Sequence, residues 1–191
     1  MGDRKTEYVA CNKLGNACVS LGRIQEAIEW HNYALSIAKE LGDRAGEGAC
    51  YGNLGNSHCT LRKFEEATEY LNERLSIAKE VGHRVEEGMA YGDLGSVYDS
   101  LGKSQEAITY HNKCLSIAKE VGDKDLEATG YAILGRDYLS LEKFQEALEY
   151  YNKSLSIAKD VGNREVQGKA YVYLGSVYYS IRKFKEAREY F

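Results

Sequence analysis

Asparagine is the residue type whose spacing in this chain invites a chemical reading. Asn16 and Asn56 stand 40 residues apart, with Asn12 and Asn53 near them in the same two segments. A carboxamide both donates and accepts hydrogen bonds, so a row of them can match the two sides of a peptide group. Such a row holds an extended backbone without reading its side chains. Charged residues at related places would then select among partners. Asp93 and Asp99 would repel acidic residues, while Arg136 and Lys169 would attract them.

The other chemistry-bearing residues point away from catalysis. Cys11, Cys18, Cys50, Cys59 and Cys114 are odd in number and lack CxxC spacing. They read as buried or half-buried free thiols, which fits a reducing compartment. His31 and His111 share one position of a repeat, two units apart, with Leu71, Tyr151 and Phe191. That column is a packing column, and two units is too far for a shared metal. His58 replaces the tyrosine found at Tyr98, Tyr138 and Tyr178, a core or seam place. Carboxylates such as Glu65 and Glu66 are scattered over helix faces, and no Ser-His or Cys-His arrangement stands apart from the repeat. No GxxxxGK or GxGxxG follows a strand, so the glycines are not a phosphate cradle. The expectation is no catalytic residue, no metal, no cofactor and no enzyme.

What must position the asparagines is a repeat. Leu-Gly pairs fall at Leu14-Gly15, Leu54-Gly55, Leu94-Gly95, Leu134-Gly135 and Leu174-Gly175, and Ser-Ile-Ala-Lys begins at Ser36, Ser76, Ser116 and Ser156. A fixed 40-residue step predicts a stacked array of small units with a long continuous surface. In the third unit Tyr91, Leu94, Gly95, Tyr98 and Leu101 mark one helix face. In the fourth, Phe144, Ala147, Leu148, Tyr151, Leu155, Ala158 and Val161 mark a second. Each unit is therefore a hairpin of two helices. Gly2, Gly42, Gly82, Gly122 and Gly162 read as helix stops. Asp3, Asp43, Asp123 and Asn163, with His83 in the same column, follow as caps of the next helix. Links this short force antiparallel packing. The Leu-Gly glycines and the column Ala27, Ala67, Ala107, Ala147 and Ala187 let the helices of a hairpin approach closely. Tyr51, Tyr91, Tyr131 and Tyr171 are expected to fill the seam to the next unit.

The order aromatic-x-x-Leu-Gly-x-x-Tyr, then Ala, then an aromatic or His resembles the tetratricopeptide repeat, as at Tyr131, Leu134-Gly135, Tyr138, Ala147 and Tyr151. The resemblance covers the whole chain. It departs from the usual pattern in its 40-residue rather than 34-residue period. It also lacks the proline that ends the second helix; Lys39, Lys79, Lys119 and Lys159 stand near that place, so this helix is expected to be longer. Leu14-Gly15-Asn16 and Leu54-Gly55-Asn56 look like the Leu-Gly-Asn type of Pins adaptors and of repeat-rich animal relatives, but Ser96, Arg136 and Ser176 break the pattern in later repeats.

The resemblance implies an all-α fold, a right-handed superhelical solenoid of antiparallel helix hairpins. It implies a single array over 1–191, with repeats of about 3–42, 43–82, 83–122, 123–162 and a shortened 163–191. It also implies that first helices line a concave groove. Its expected lining is Asn12, Lys13, Asn16 and Ser20, then Asn53, Asn56 and Thr60, then Asp93, Ser96 and Asp99, then Arg136, then Lys169, Tyr173, Ser176 and Tyr179. Some members grip a C-terminal carboxylate with Lys, Arg and two Asn. Asn16 and Asn53 match the amides, but Met89 and Asp93 stand at the cationic places, so chaperone-tail binding of that kind is not expected.

Formal net charge is −4, which argues against a nucleic-acid platform. No apolar run approaches the ~20 residues of a membrane span, and Met1 to Ala10 lacks a signal-peptide core, so a cytoplasmic protein is expected. The fifth unit stops at Phe191. Tyr173, Tyr178, Tyr179, Ile181, Phe184, Tyr190 and Phe191 would then lie uncovered, and end-to-end self-association is expected. The leading expectation is a scaffold that binds a protein or peptide segment in the groove. The alternative is a spacer or sensor arm of a larger protein without a ligand of its own. Packing positions repeat faithfully while Asn53, Asp93, Ile133 and Tyr173 differ in one groove column, and this contrast favours binding.

Overall fold

The structure, a computed structural model, describes residues 2–190. Among them it contains ten α-helices and no strand: α1 (Gly2–Ser20), α2 (Ile24–Leu41), α3 (Arg44–Thr60), α4 (Phe64–Glu80), α5 (Arg84–Ser100), α6 (Ser104–Val121), α7 (Lys124–Ser140), α8 (Phe144–Asp160), α9 (Arg164–Ser180) and α10 (Phe184–Tyr190). Odd helices are the first members of the hairpins and even helices the second. Phe191, part of two of the columns above, lies outside the described residues.

The links are fixed by local chemistry. Gly42, Gly82, Gly122 and Gly162 all take positive φ, between 65° and 74°. The N–H that follows each glycine bonds back into the helix just ended, as Asp43 N–H does to the Ala38 carbonyl at 2.9 Å. Asp43, Asp123 and Asn163 then accept from the N–H of Gly46, Leu126 and Val166 at 2.9, 2.9 and 3.0 Å. Each such cap contributes about 1 kcal/mol. His83 does the same less well, its Nδ1 lying 3.4 Å from the Glu86 N–H. Gly2 and Asp3 depart from the expectation. They begin α1 instead of stopping and capping, because among the described residues no helix ends before them.

Within a hairpin the turn is also left-handed, but its residue varies. Gly22 and Gly102 hold φ of 73° and 71°, whereas Arg62, Glu142 and Arg182 hold 60°, 57° and 61° at the equivalent place. A side chain there costs roughly 1–2 kcal/mol, offset by the capping bonds it permits. One of these is the Lys63 N–H to the His58 carbonyl at 2.9 Å.

The chain forms two compact units, Met1–Val97 and Tyr98–Phe191, each described by itself. In the first, Ala27, Ile37, Leu54, Leu71 and Leu94 are buried; in the second, Ala107, Leu134, Ala147, Tyr151 and Leu174 are. The glycines do the spacing foreseen for them. A Cβ on Gly55 would lie 2.7 Å from Leu71, and one on Gly135 2.8 Å from Tyr151; Gly15 is covered in the same way by the His31 ring. Leu14 differs from the other Leu-Gly leucines, being 46% exposed. Leu101 and Val161 are exposed rather than packed, because they follow the ends of α5 and α8 and leave the faces their spacing placed them on.

The repeated Ser-Ile-Ala-Lys has a structural reason. Its isoleucine and alanine turn inward, with Ile37, Ala38, Ile77, Ala78, Ile117 and Ala118 all buried. Its lysine lies over the tyrosine twelve residues on, at 5.5 Å for Lys39 on Tyr51 and 5.4 Å for Lys79 on Tyr91 in the first unit. In the second unit Lys119 covers Tyr131 at 4.9 Å and Lys159 covers Tyr171 at 5.3 Å. Each pair contributes about 0.5–1 kcal/mol and ties one hairpin to the next. No helix among the described residues is long and apolar enough to cross a membrane.

Candidate binding site

In the first unit the polar faces of α1 and α3 meet over α2. Asn16, Asn53, Asn56 and Thr60, four residues expected on one surface, line a cavity of about 180 Å³ with Val19, His31 and Ser57. Their backbone positions follow from the hairpin, since Asn16 and Asn56 sit one residue after the Leu-Gly glycine of their helices, which packs against His31 in one hairpin and Leu71 in the next. The Asn53 side-chain amide donates to Asn12 Oδ1 at 2.8 Å, and Asn12 Nδ2 donates to the Tyr8 hydroxyl at 3.5 Å, so the amide row is partly tied together. The Thr60 hydroxyl bonds the Asn56 carbonyl at 2.9 Å and the Ser57 hydroxyl the Asn53 carbonyl at 2.8 Å. Lys13 is exposed on α1.

His31 is the unexpected member. The side chain is fully buried, and neither ring nitrogen has a hydrogen-bond partner among the described residues. Burial holds its pKa below the ordinary histidine value, so the imidazole is neutral at neutral pH.

Asp93 does not face outward alone. The buried Arg74 on α4 holds its carboxylate at 2.5 Å and that of Glu86 at 2.7 Å, with the Met89 sulfur 3.8 Å away. The aspartate expected to repel acidic partners is thereby paired, sharing Arg74 with Glu86 and taking a hydrogen bond from the Asn56 amide, while burial pushes its pKa upward. Its neighbour Ser96 donates to the Gly92 carbonyl at 3.1 Å.

In the second unit Arg136, Lys169 and Tyr173 come together on a cavity of about 420 Å³ between α7 and α9, with Ile133, Asn163, Glu165 and Val166 among its walls. Both cations are already engaged. Arg136 meets Asp99 at 3.1 Å, and Lys169 meets Glu165 at 2.5 Å. Tyr173 stacks on the buried Tyr151 with centroids 5.0 Å apart. Beneath Arg136 lies a buried pair that spacing alone did not disclose: His111 Nδ1 is 2.6 Å from Asp137 Oδ2, and the other Asp137 oxygen is 3.6 Å from Arg136.

Of the residues expected on the groove, Asn16, Asn53 and Asn56 share one cavity and Arg136, Lys169 and Tyr173 another, Asn12, Lys13, Asp93, Ser96 and Asp99 line neither, and His31, Arg74 and Asp137 were not foreseen. A signal existed. At an offset of 80 residues, His31, Asn56 and Ser57 become His111, Arg136 and Asp137, and a shared histidine with a changed opposite residue marks a seam of different chemistry.

Nothing among the described residues forms a group of three or more metal-ligating side chains. None of the five cysteines is in a disulfide; burial pushes the Cys50 thiol up to about 11 and the Cys11 thiol upward too, which keeps both protonated.

Antiparallel hairpins at a 40-residue step, joined by αL glycine stops, define an α-helical repeat protein. The chain belongs to the tetratricopeptide repeat family, whose model matches residues 8–80, 86–160 and 126–191. No curated protein sequence matches it. Solved structures share the fold at low identity. BtubC (BKLC) from P. vanneervenii is 20% identical with a TM-score of 0.81, covering 93% of this chain and 74% of that one. Aspartyl phosphate phosphatase F from Bacillus subtilis is 17% identical with a TM-score of 0.89, covering 98% and 49%. A Rap protein complexed with Competence and Sporulation Factor is 16% identical with a TM-score of 0.82, covering 96% and 51%.

Proposed function

We propose that this chain is a non-catalytic cytoplasmic adaptor that holds an extended or partly helical segment of another protein in a groove lined by its first helices. The observation that carries this reading is the cavity where Asn16, Asn53, Asn56 and Thr60 converge, which supplies amide donors and acceptors to a peptide backbone. The second cavity, with Arg136, Lys169 and Tyr173, is larger, at about 420 Å³, and offers charged and aromatic contacts. The solved complex of a Rap protein with Competence and Sporulation Factor supports a ligand-holding use of this fold. Likeness to Pins-type adaptors rests on Leu-Gly-Asn at Leu14–Asn16 and Leu54–Asn56, the repeats that build the amide cavity. A single array over all five hairpins is part of the reading.

The test is a pull-down with mass spectrometry, comparing the wild-type chain with an Asn16/Asn53/Asn56→Ala variant of equal thermal stability. Proteins kept by the wild type and lost by the variant support the site. Identical lists reject it and favour a spacer role. Self-association through the last hairpin belongs to the same proposal, since Val172, Tyr179 and Phe184 are 53%, 64% and 56% exposed. Tyr173 and Tyr178, also expected there, are instead stacked on Tyr151 and Tyr190. A monomer mass independent of concentration in light scattering would remove it.

A further inference from the structure

The amide cavity has a polarity, which, on the peptide-binding proposal, names the group of the bound segment that it takes. Asn56 lines the cavity with Asn16 and Val19 of α1, and its side-chain amide also donates to Asp93 on α5. A carboxylate only accepts, so the Asn56 nitrogen is the atom turned to Asp93. The Asn56 oxygen is left on the α1 side, towards the cavity. Asp93 is itself held at 2.5 Å by Arg74, whose side chain is 8% exposed. Arg74 comes from α4 and passes α3 at Gly52, where a Cβ would lie 3.0 Å from it. Ala34, Cys114 and Ser154 stand in the Arg74 column, and Asn53, Ile133 and Tyr173 in that of Asp93, so the relay is particular to the second hairpin.

The neighbouring walls agree. The Thr60 hydroxyl spends its hydrogen on the Asn56 carbonyl and the Ser57 hydroxyl on the Asn53 carbonyl, which leaves both oxygens with lone pairs for a donor. Asn53 spends one N–H on Asn12. The cavity therefore meets a ligand mainly with oxygens. A carboxylate would face them oxygen to oxygen, and a single backbone N–H would use only one of them. An ammonium has three donors and no acceptor, and it suits a unit whose acidic residues outnumber its basic ones. We propose that Arg74 and Asp93 are positioning residues that turn the Asn56 oxygen into the cavity, so that the cavity receives an ammonium of the bound segment.

Two measurements test this on the full chain. In the first, the ¹⁵N–¹H signals of the Asn56 side chain are followed by NMR during titration with methylammonium and, separately, with acetate. A saturable shift with methylammonium and none with acetate is expected. Asp93→Asn releases the amide and should weaken the methylammonium response roughly tenfold or more. Glu86→Gln removes the same charge from the same arginine but leaves Arg74 on Asp93, so it should keep the response. In the second, peptides are selected from a phage-displayed random library on wild-type chain. The selected peptides should share a lysine at one fixed place and lose roughly tenfold or more in affinity when that lysine is acetylated.

Selected peptides that share no amine at a fixed place, or equal loss of the methylammonium response in Glu86→Gln and Asp93→Asn, overturn the positioned ammonium site while the groove reading stands. Loss of affinity on acetylating the amino terminus instead of a lysine supports the ammonium and makes its source the end of the segment. A methylammonium response with no peptide selected supports the ammonium, makes its source a small free amine and ends the peptide reading. No peptide and no methylammonium response overturns both.

Discussion

His31 and His111 stand at the same place in the first and third hairpins, are equally buried, and live in opposite electrostatic settings. His111 shares its seam with Asp137 at 2.6 Å and with Arg136 beyond it. His31 faces Ser57, Asn53 and Asn56 and has neither ring nitrogen satisfied among the described residues. The second and fourth hairpins place Leu71 and Tyr151 in the same column, each against the glycine of its own Leu-Gly pair. One backbone position thus tolerates an apolar side chain, an unpaired imidazole and an imidazole hydrogen-bonded to a carboxylate. The repeat dictates where a side chain goes, and the residue opposite decides whether it stabilises the seam or opens it.

The strongest way to break that comparison is to make the same substitution in both seams. His111→Leu should destabilise the chain by about 3–5 kcal/mol, because it leaves Asp137 buried without its partner. Urea denaturation followed by circular dichroism measures it, with an unchanged slope and a lowered midpoint expected. A loss below about 1 kcal/mol would mean that Arg136 alone satisfies Asp137.

The second effect is smaller and of opposite sign. His31→Leu removes two unpaired polar atoms from a buried place and adds a side chain that the column already accepts at Leu71, so a gain of about 1–2 kcal/mol is expected by the same denaturation. Destabilisation of the size seen for His111→Leu would show that the two seams are energetically alike and that His31 is satisfied after all.

These seams also mark what was legible in the sequence and what was not. Period, helix pairing, αL glycines and the Asp and Asn caps could be read directly, because each depends on residues within a few positions of one another. Asn16, Asn53, Asn56 and Thr60 line one cavity because the helical period and the 40-residue step bring them to adjoining faces of α1 and α3. Arg74 with Asp93, and Asp137 with His111, were out of reach, since their partners lie 19 and 26 residues apart on different helices. The charges of Asp93, Asp99, Arg136 and Lys169 looked free for the same reason: each meets a partner that helical spacing along a single face does not display, or, for Lys169, one on its own helix turned to the same side.

pH sharpens the contrast further. Burial lowers the pKa of His31 from its ordinary 6.5, and burial lowers that of His58 too. Below about 6.5 the unfolded chain takes up protons that the folded chain refuses, so stability falls as pH drops from there towards the folded pKa values and levels off below them. Each such histidine contributes a slope of at most about 1.4 kcal/mol per pH unit. His31→Leu should therefore flatten the loss between about pH 7 and pH 5.5 while leaving the part due to His58. Equal slopes for variant and wild type would mean that His31 stays protonatable in the fold.

The smallest expected effect lies in the turns that precede these seams. Gly22 and Gly102 lead into the histidine-bearing helices, whereas Arg62 and Glu142 lead into those bearing Leu71 and Tyr151, all four at positive φ. Arg62→Gly relieves roughly 1–2 kcal/mol of left-handed strain. It gives back about 0.5–1 kcal/mol through a freer unfolded chain. It also loses the guanidinium contact with the Phe64 ring, 6.0 Å from its centroid. The net is a gain of about 0.5 kcal/mol or less, and Gly102→Arg should cost about 1 kcal/mol, both read from urea midpoints. If Arg62→Gly instead destabilises, the contact with Phe64 outweighs the strain. The alternation between hairpins would then be a matter of which aromatic the turn residue covers, since Ile24 and Ser104 stand where Phe64 and Phe144 do.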